Sequence, residues 1–360
     1  MEGRIDKAMI VITSLLLLCG MVMIYSASAP FSLQHYNNSF HLLIKQLAAA
    51  GLGILIMVFL LRFDYHRFLH LDDLLLLGTF LFSLATVLPI SVASGRWLQV
   101  GPFALQPTEL VKFSLVIYLA ATIVRKGDRI RSFSEGILPF AVVLGFLSAI
   151  LMNQPDFGML LLLGALTGVM LLVGGARIDY LLALGLGVSP LIYVALKLAP
   201  YRLARIVSFL DPYKYSTSSG YQAIQSMMAI GAGGILGRGL GASRAKLFYL
   251  PQSHNDFIFS ITAEELGLIG AFAVIGLLIA FGWRAFSIAA HAPDRFGNLL
   301  ALGIGFTICF QAVLNLGVTL GVFPVTGLTL PFISNGGSSL LVTLAMVGVL
   351  LNISRQRIRV

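Results

Sequence analysis

The chain has 360 residues, of which 58% are hydrophobic and only 11% charged, with a mean hydropathy of +0.93. This balance excludes an ordinary soluble domain and a disordered chain, because the apolar residues fall in runs long enough to cross a bilayer core of roughly 30 Å as helices. A formal charge of +9 does not indicate a nucleic-acid binder: the basic residues are spread over short segments between apolar runs, as positive-inside bias requires.

The first apolar run, about 8–28, follows Arg4 and Lys7 and closes on Ala27-Ser28-Ala29, a tripeptide resembling a signal-peptidase site. Its apolar core exceeds the usual ~7–15 residues of a signal peptide, and Pro30 follows the would-be cut, so it is read as a retained first span. Nine further spans are predicted at about 41–61, 71–91, 107–124, 135–152, 158–175, 180–198, 257–283, 298–320 and 336–353. Ten spans put both termini on one side. If that side is the cytoplasm, its segments carry fourteen Lys and Arg, against only Lys45, Arg96 and Lys112 opposite, the long loop left out. This asymmetry makes the termini cytoplasmic and the long loop, about 199–256 between the seventh and eighth spans, extracytoplasmic. The predicted fold is therefore an all-α, polytopic integral membrane protein, one transmembrane domain of about ten helices. Cys19 and Cys309 both lie inside apolar runs, so neither a disulfide framework nor a cysteine metal cluster is expected.

The polar stretch 197–257 carries Lys197, Arg202, Arg205, Lys214, Arg238, Arg244 and Lys246 against two acids, Asp211 and Asp256. A surface of that sign is suited to an anionic ligand. Ser216-Thr217-Ser218-Ser219-Gly220 offers helix caps, and Tyr221, Ile224, Met227 or Met228, and Ile230 then share one helical face, predicting a short helix on the membrane surface. The glycine-rich run 231–241 follows no strand and lacks a closing Gly-Lys-Ser/Thr, which excludes a nucleotide loop. Its glycines instead let backbone pack closely or approach a ligand.

Outer acids are few: Glu109, Asp156, Asp211 and Asp256, with Glu264 and Glu265 deeper in the eighth span. Each has a structural reading. Pro107-Thr108-Glu109 looks like a helix start, Gln154-Pro155-Asp156 like a turn, and Asp256 could cap the eighth span. Lys112, three residues after Glu109, could simply pair with it. A lysine well inside an apolar helix nevertheless calls for a partner or a cavity, so Lys112 is expected to meet Glu109 and Glu264 in one polar pocket that opens outward. His254 is read as a loop hydrogen-bonder rather than a metal ligand. The last outer segment runs from Asn315 through Pro324 and Pro331 to Ser334-Asn335-Gly336-Gly337-Ser338-Ser339. Two prolines and repeated glycines between spans predict irregular backbone lining a cavity, and the small polar run offers donors for an anion at a helix start.

That segment resembles the signature of the SEDS family (shape, elongation, division and sporulation), polytopic bacterial proteins that include RodA and FtsW. Further matching pieces are Gly95-Arg96-Trp97, Gln106-Pro107-Thr108-Glu109 with Lys112, Gln154-Pro155-Asp156, the 231–241 run, Asn255-Asp256-Phe257 and Ala263-Glu264-Glu265. One departure is Asn335, where a tyrosine, serine or alanine is expected. The compact length and short N-terminus look more like the RodA branch. The resemblance implies a peptidoglycan glycosyltransferase that polymerises lipid II, a disaccharide-pentapeptide on undecaprenyl pyrophosphate, at the outer face of the cytoplasmic membrane during cell elongation. It further implies that Asp256 is the essential acid, that Glu109, Lys112 and Asp156 share its cavity, and that a class B penicillin-binding protein is the partner. In the expected chemistry Asp256 takes the proton of the acceptor hydroxyl. Lys112, Arg96, Arg205 and Arg244 neutralise the departing pyrophosphate, aided by Mg²⁺ or Mn²⁺ on Asp156 or Glu109, with no organic cofactor. Glu264, Ser334, Gly336 and Ser338 complete the expected substrate site. The competing reading is a transporter or flippase of the lipid-linked precursor; a scaffold for wall enzymes is a third, which the buried Lys112 and Glu264 do not need.

Overall fold

The computed structural model describes residues 5–87, 93–94, 97–100, 103–154, 156–197, 200–218 and 220–356. The helices are α1 (Lys7–Tyr36), α2 (His41–Arg62), α3 (Phe68–Leu84), α4 (Pro107–Lys126), α5 (Leu138–Asn153), α6 (Phe157–Gly174) and α7 (Ile178–Lys197). They continue as α8 (Pro200–Leu210), α9 (Tyr221–Gly233), α10 (Ile258–Ala290), α11 (Arg295–Thr319) and α12 (Gly337–Arg355). Among the described residues eight helical segments, those built on α1, α2, α4, α5, α6, α10, α11 and α12, are long and apolar enough to span a membrane. With α3 and α7, each close to that length, the chain is a polytopic helical membrane protein matching the predicted spans. Ala27 and Ser28, the would-be cleavage site, are buried in the middle of α1.

Helix ends follow local chemistry. Asp6 caps α1 by accepting from Met9 N at 2.9 Å, Asp156 caps α6 by accepting from Met159 N at 3.2 Å, and Pro107 opens α4. α4 and α12 are buried along most of their length and form the centre, with α2 along α12, α3 along α4, and α11 against both α4 and α10. Asp6 pairs with Arg284 on α10 and donates through its N–H to Ser354 Oγ on α12, while Tyr65 joins Asp294 and Asn352, and Gln356 joins Asn352 and Asp64, so the start of α1, the end of α12 and the α2–α3 and α10–α11 turns meet at one end of the bundle.

At the opposite end the structure adds elements that hydropathy does not reveal. A small antiparallel sheet in the order β1 (Ala93–Ser94), β2 (Trp97–Val100), β3 (Phe103–Leu105) joins α3 to α4. Leu98 pairs with Leu105 and Val100 with Phe103. The long loop contains α8, a helix not anticipated, and α9, the anticipated one. α9 turns Ser226 inward, where its hydroxyl meets Ser260 Oγ at 2.6 Å and donates to Thr319 O at 2.7 Å. The glycine-rich run serves close packing. A Cβ on Gly233 would overlap Ala263 O, and Arg238 and Gly239 N–H donate to the carbonyls of Glu264 and Glu265 at 3.0 Å each. Opposite that run α10 is interrupted at Gly267 (φ 67°, ψ −165°), a conformation that favours glycine.

Candidate active site

Asp256 sits on the irregular segment that leads into α10, and other parts of the chain fix that segment from several sides. Gln252 O accepts from Asn255 N at 3.0 Å, closing a turn in which Gln252 takes φ +56°. Asn315 on α11 donates through Nδ2 to Asp256 O (2.8 Å) and to Leu328 O (2.7 Å). Ser334 Oγ donates to Asn255 O at 2.7 Å, Asn335 N to His254 O at 3.0 Å, and Asn335 Nδ2 to Asn255 Oδ1 at 3.1 Å. The prolines and glycines of 321–337 thus shape a second irregular segment that grips the first. His254 is buried, and its ring lies 4.9 Å from that of Phe31. Burial lowers its pKa to about 4, so near pH 7 it is a neutral packing group.

Asp256 lines a cavity of about 1380 Å³ together with Arg205 on α8, Lys45 on α2, Trp97 and Gln99 on β2, and Gly336 and Ser338 at the start of α12. Arg205 is braced by a 3.1 Å hydrogen bond from its guanidinium to Val325 O. The N-terminus of α12 adds the positive end of its dipole. Leu42, Ala49 and Leu52 on one face of α2, with Leu341 on α12, extend the cavity as an apolar wall. One carboxylate and two cations therefore share a large space with a hydrocarbon-like flank.

The other predicted residues divide. Ser334 is buried behind the wall and holds the Asp256 segment rather than facing the cavity. Asp156 is also buried, capping α6 and accepting from the cavity-lining Gln106 Nε2 at 3.0 Å. Lys112 does meet Glu109, at 2.6 Å, but its other partner is Gln311 Oε1 at 2.7 Å, and both charges lie behind the wall. Arg96 falls outside the described residues.

Glu264 is a correction: it does not join Lys112. It accepts from Arg238 (3.1 Å), Ser243 Oγ (2.5 Å), Arg244 N (3.0 Å) and Ala245 N (3.2 Å), so the long loop saturates it on α10's own flank. Arg244 is corrected with it: its backbone serves Glu264, its side chain is exposed, and it is absent from the cavity wall. Glu265 forms an adjoining cluster, accepting from Ser26 Oγ at 2.6 and 2.7 Å and from Lys246 Nζ at 2.7 Å. Gln311 is not anticipated from sequence, and Lys45, Lys246 and Asn315 enter there only as loop charges and a segment boundary, not as site residues. Of these, only the buried amides inside apolar helices carried a signal, since polar groups there require partners.

Among the described residues no three His, Cys, Asp or Glu side chains come together, and Asp156 and Glu109 are each taken up by protein donors.

A family model described as cell cycle protein, FtsW/RodA/SpoVE, matches residues 6–359. The chain belongs to this family. It is 41% identical to stage V sporulation protein E of Bacillus subtilis over 355 residues, covering 97% of each chain. It is 42% identical to a probable peptidoglycan glycosyltransferase FtsW of Trichlorobacter lovleyi over 340 residues, covering 93% of this chain and 89% of the relative. Among solved structures it is similar to a chain of a peptidoglycan synthase complex, with TM-score 0.81, 29% identity and 98% coverage of both chains. The rod shape determining protein RodA of Thermus thermophilus is also similar, with TM-score 0.72, 28% identity and coverage of 99% and 98%.

Proposed function

We propose that this SEDS protein is a peptidoglycan glycosyltransferase that polymerises lipid II at the outer face of the cytoplasmic membrane, with Asp256 as general base. The observation that carries the reading is the shared cavity, which Asp256, Arg205 and Lys45 line together with the apolar Leu42, Ala49 and Leu52 of α2. A polyprenyl pyrophosphate sugar needs these features together, namely cations for the diphosphate and hydrocarbon for the chain. In the step, the acceptor hydroxyl loses its proton to the Asp256 carboxylate and its oxygen attacks the anomeric carbon. The bond from that carbon to the phosphate oxygen breaks with inversion, and the charge left on the pyrophosphate is held by Arg205 and Lys45. No part of this step is routed through Asp156, Glu109 or a metal on them.

Both termini are placed in the cytoplasm, because the end where they meet gathers the excess of Lys and Arg. A class B penicillin-binding protein is the proposed partner, supported by the likeness to a chain of a synthase complex that couples polymerization and crosslinking. Elongation is the process expected from the RodA-like length. Identities of 37–42% to relatives named FtsW and stage V sporulation protein E favour a septal or sporulation event. Depletion in the native cell separates them, rounding for elongation and filaments for division.

The deciding assay is glycan formation from lipid II by purified protein in detergent, with and without chelator, where a transporter has no compartments to act between. Polymerisation at the wild-type rate by Asp256→Asn would remove the base from the mechanism.

A further inference from the structure

The cavity's lining is unusual in being rich in uncharged amides. Among the described residues it holds eight Gln and Asn side chains against three charged ones, Lys45, Arg205 and Asp256. Most of the amides are occupied within the protein. Gln46 accepts from Gly336 N, Gln106 donates to Asp156, Asn153 donates to Ala149 O, and Asn255 and Asn335 bond one another. The side chains of Gln99 on β2 and Gln222 on the first turn of α9 have no hydrogen-bond partner among the described residues. Gln252 spends only its oxygen, on Asn255 Nδ2 at 2.6 Å. Gln252 is also held at φ +56°, a conformation that costs about 1 kcal/mol outside glycine and persists where surrounding structure imposes it. Trp97, partly exposed, faces the same space.

We propose that Trp97, Gln99, Gln222 and Gln252 form a subsite for a 2-acetamido sugar, recognised through its acetamide. The inference rests on the glycosyltransferase reading above and adds which residues select the sugar. An acetamide presents one N–H and one carbonyl, the complement of a free carboxamide, and an indole covers the apolar face of a pyranose. A carboxamide can donate to a phosphate oxygen, but only an N–H-bearing ligand also uses its carbonyl, and the pyrophosphate charge is addressed by Arg205 and Lys45. The lining thus offers two kinds of group, cations for the leaving group and amides for the sugar.

The chain has two tryptophans, and Trp283 is 75% exposed on α10, outside the cavity wall. Trp283→Phe therefore leaves Trp97 as the sole tryptophan, read selectively by excitation at the red edge where the tyrosines do not absorb. In the full-length protein, titration with chitotetraose, which carries acetamides, is expected to change Trp97 emission saturably. Cellotetraose, the same backbone without acetamides, binds at least about five-fold more weakly. Gln222→Leu weakens chitotetraose about five-fold, the loss of one net hydrogen bond of about 1 kcal/mol, and leaves the cellotetraose response unchanged. The same variant raises KM for lipid II about five-fold with kcat held within two-fold. Equal responses to the two sugars, or none, overturn the subsite. Polymerisation by Trp283→Phe without sugar discrimination sinks the subsite and leaves the enzyme standing; discrimination without polymerisation by the wild type does the reverse.

Discussion

Lys112 and Glu109 offer a sharp test of the reasoning, because their pairing separates a buried ion pair from a catalytic one. Lys112 is 1% exposed and Glu109 3%, and the ammonium is bonded to Glu109 at 2.6 Å and to Gln311 at 2.7 Å. Lys112→Met leaves a carboxylate and the Gln311 oxygen without their donor; Glu109→Gln leaves the ammonium facing two neutral amides. Stranding one member of a buried pair costs about 3–5 kcal/mol, whereas replacing both with neutral groups of similar volume is often close to neutral. In the double variant the new amide at position 109 can donate to Gln311, so its loss is expected to fall below about 2 kcal/mol, a coupling of several kcal/mol. Unfolding in detergent titrations followed by tryptophan emission gives the stabilities, and lipid II polymerisation per folded molecule gives the function. The double variant should recover activity with stability. Additive losses, or single variants that fold normally yet polymerise nothing, would refute the placement of this pair behind the cavity wall and return Lys112 to the chemistry.

Asn315→Leu strands the carbonyls of Asp256 and Leu328; with about 1–3 kcal/mol for each unpaired group, a lowered melting temperature and a slower kcat at unchanged KM for lipid II are expected. Gly267→Ala places a Cβ against Gly237 N and Ile235 O at φ +67°, a loss of about 2–5 kcal/mol. Gly276→Ala on the same helix, with open space around it, stays within about 1 kcal/mol of wild type by the same melts. His254 stays neutral in the fold down to about pH 4, while an exposed histidine takes its proton near pH 6.5. The unfolded chain therefore binds the extra proton between those values, and stability falls as pH drops through that window. His254→Phe is expected to flatten that part of the melting temperature against pH.

The membrane architecture was legible because spans announce themselves by length and hydropathy, and Glu109–Lys112 because three residues on a helix are neighbours. Asp256 and Arg205 were readable as an acid and a cation of the long polar loop, though nothing in their spacing says they share a cavity. Glu264 was misplaced for a physical reason: a buried carboxylate demands a partner, and sequence cannot tell a lysine on α4 from Arg238 and three nearby donors in the loop. Gln311 stands 199 residues from Lys112, and only folding brings the two together. The sheet at 93–105 escaped because its strands are two to four residues long and lie between spans.

The interruption of α10 at Gly267 divides that helix into two rods of unequal length. Glu264 and Glu265 bolt the short rod to the long loop, while the long rod leaves Phe272, Ile279 and Trp283 exposed on its flank. A neighbouring helix leaning on that flank would tilt the long rod about a glycine pivot, and the Asp256 carboxylate just before the short rod would keep its aim.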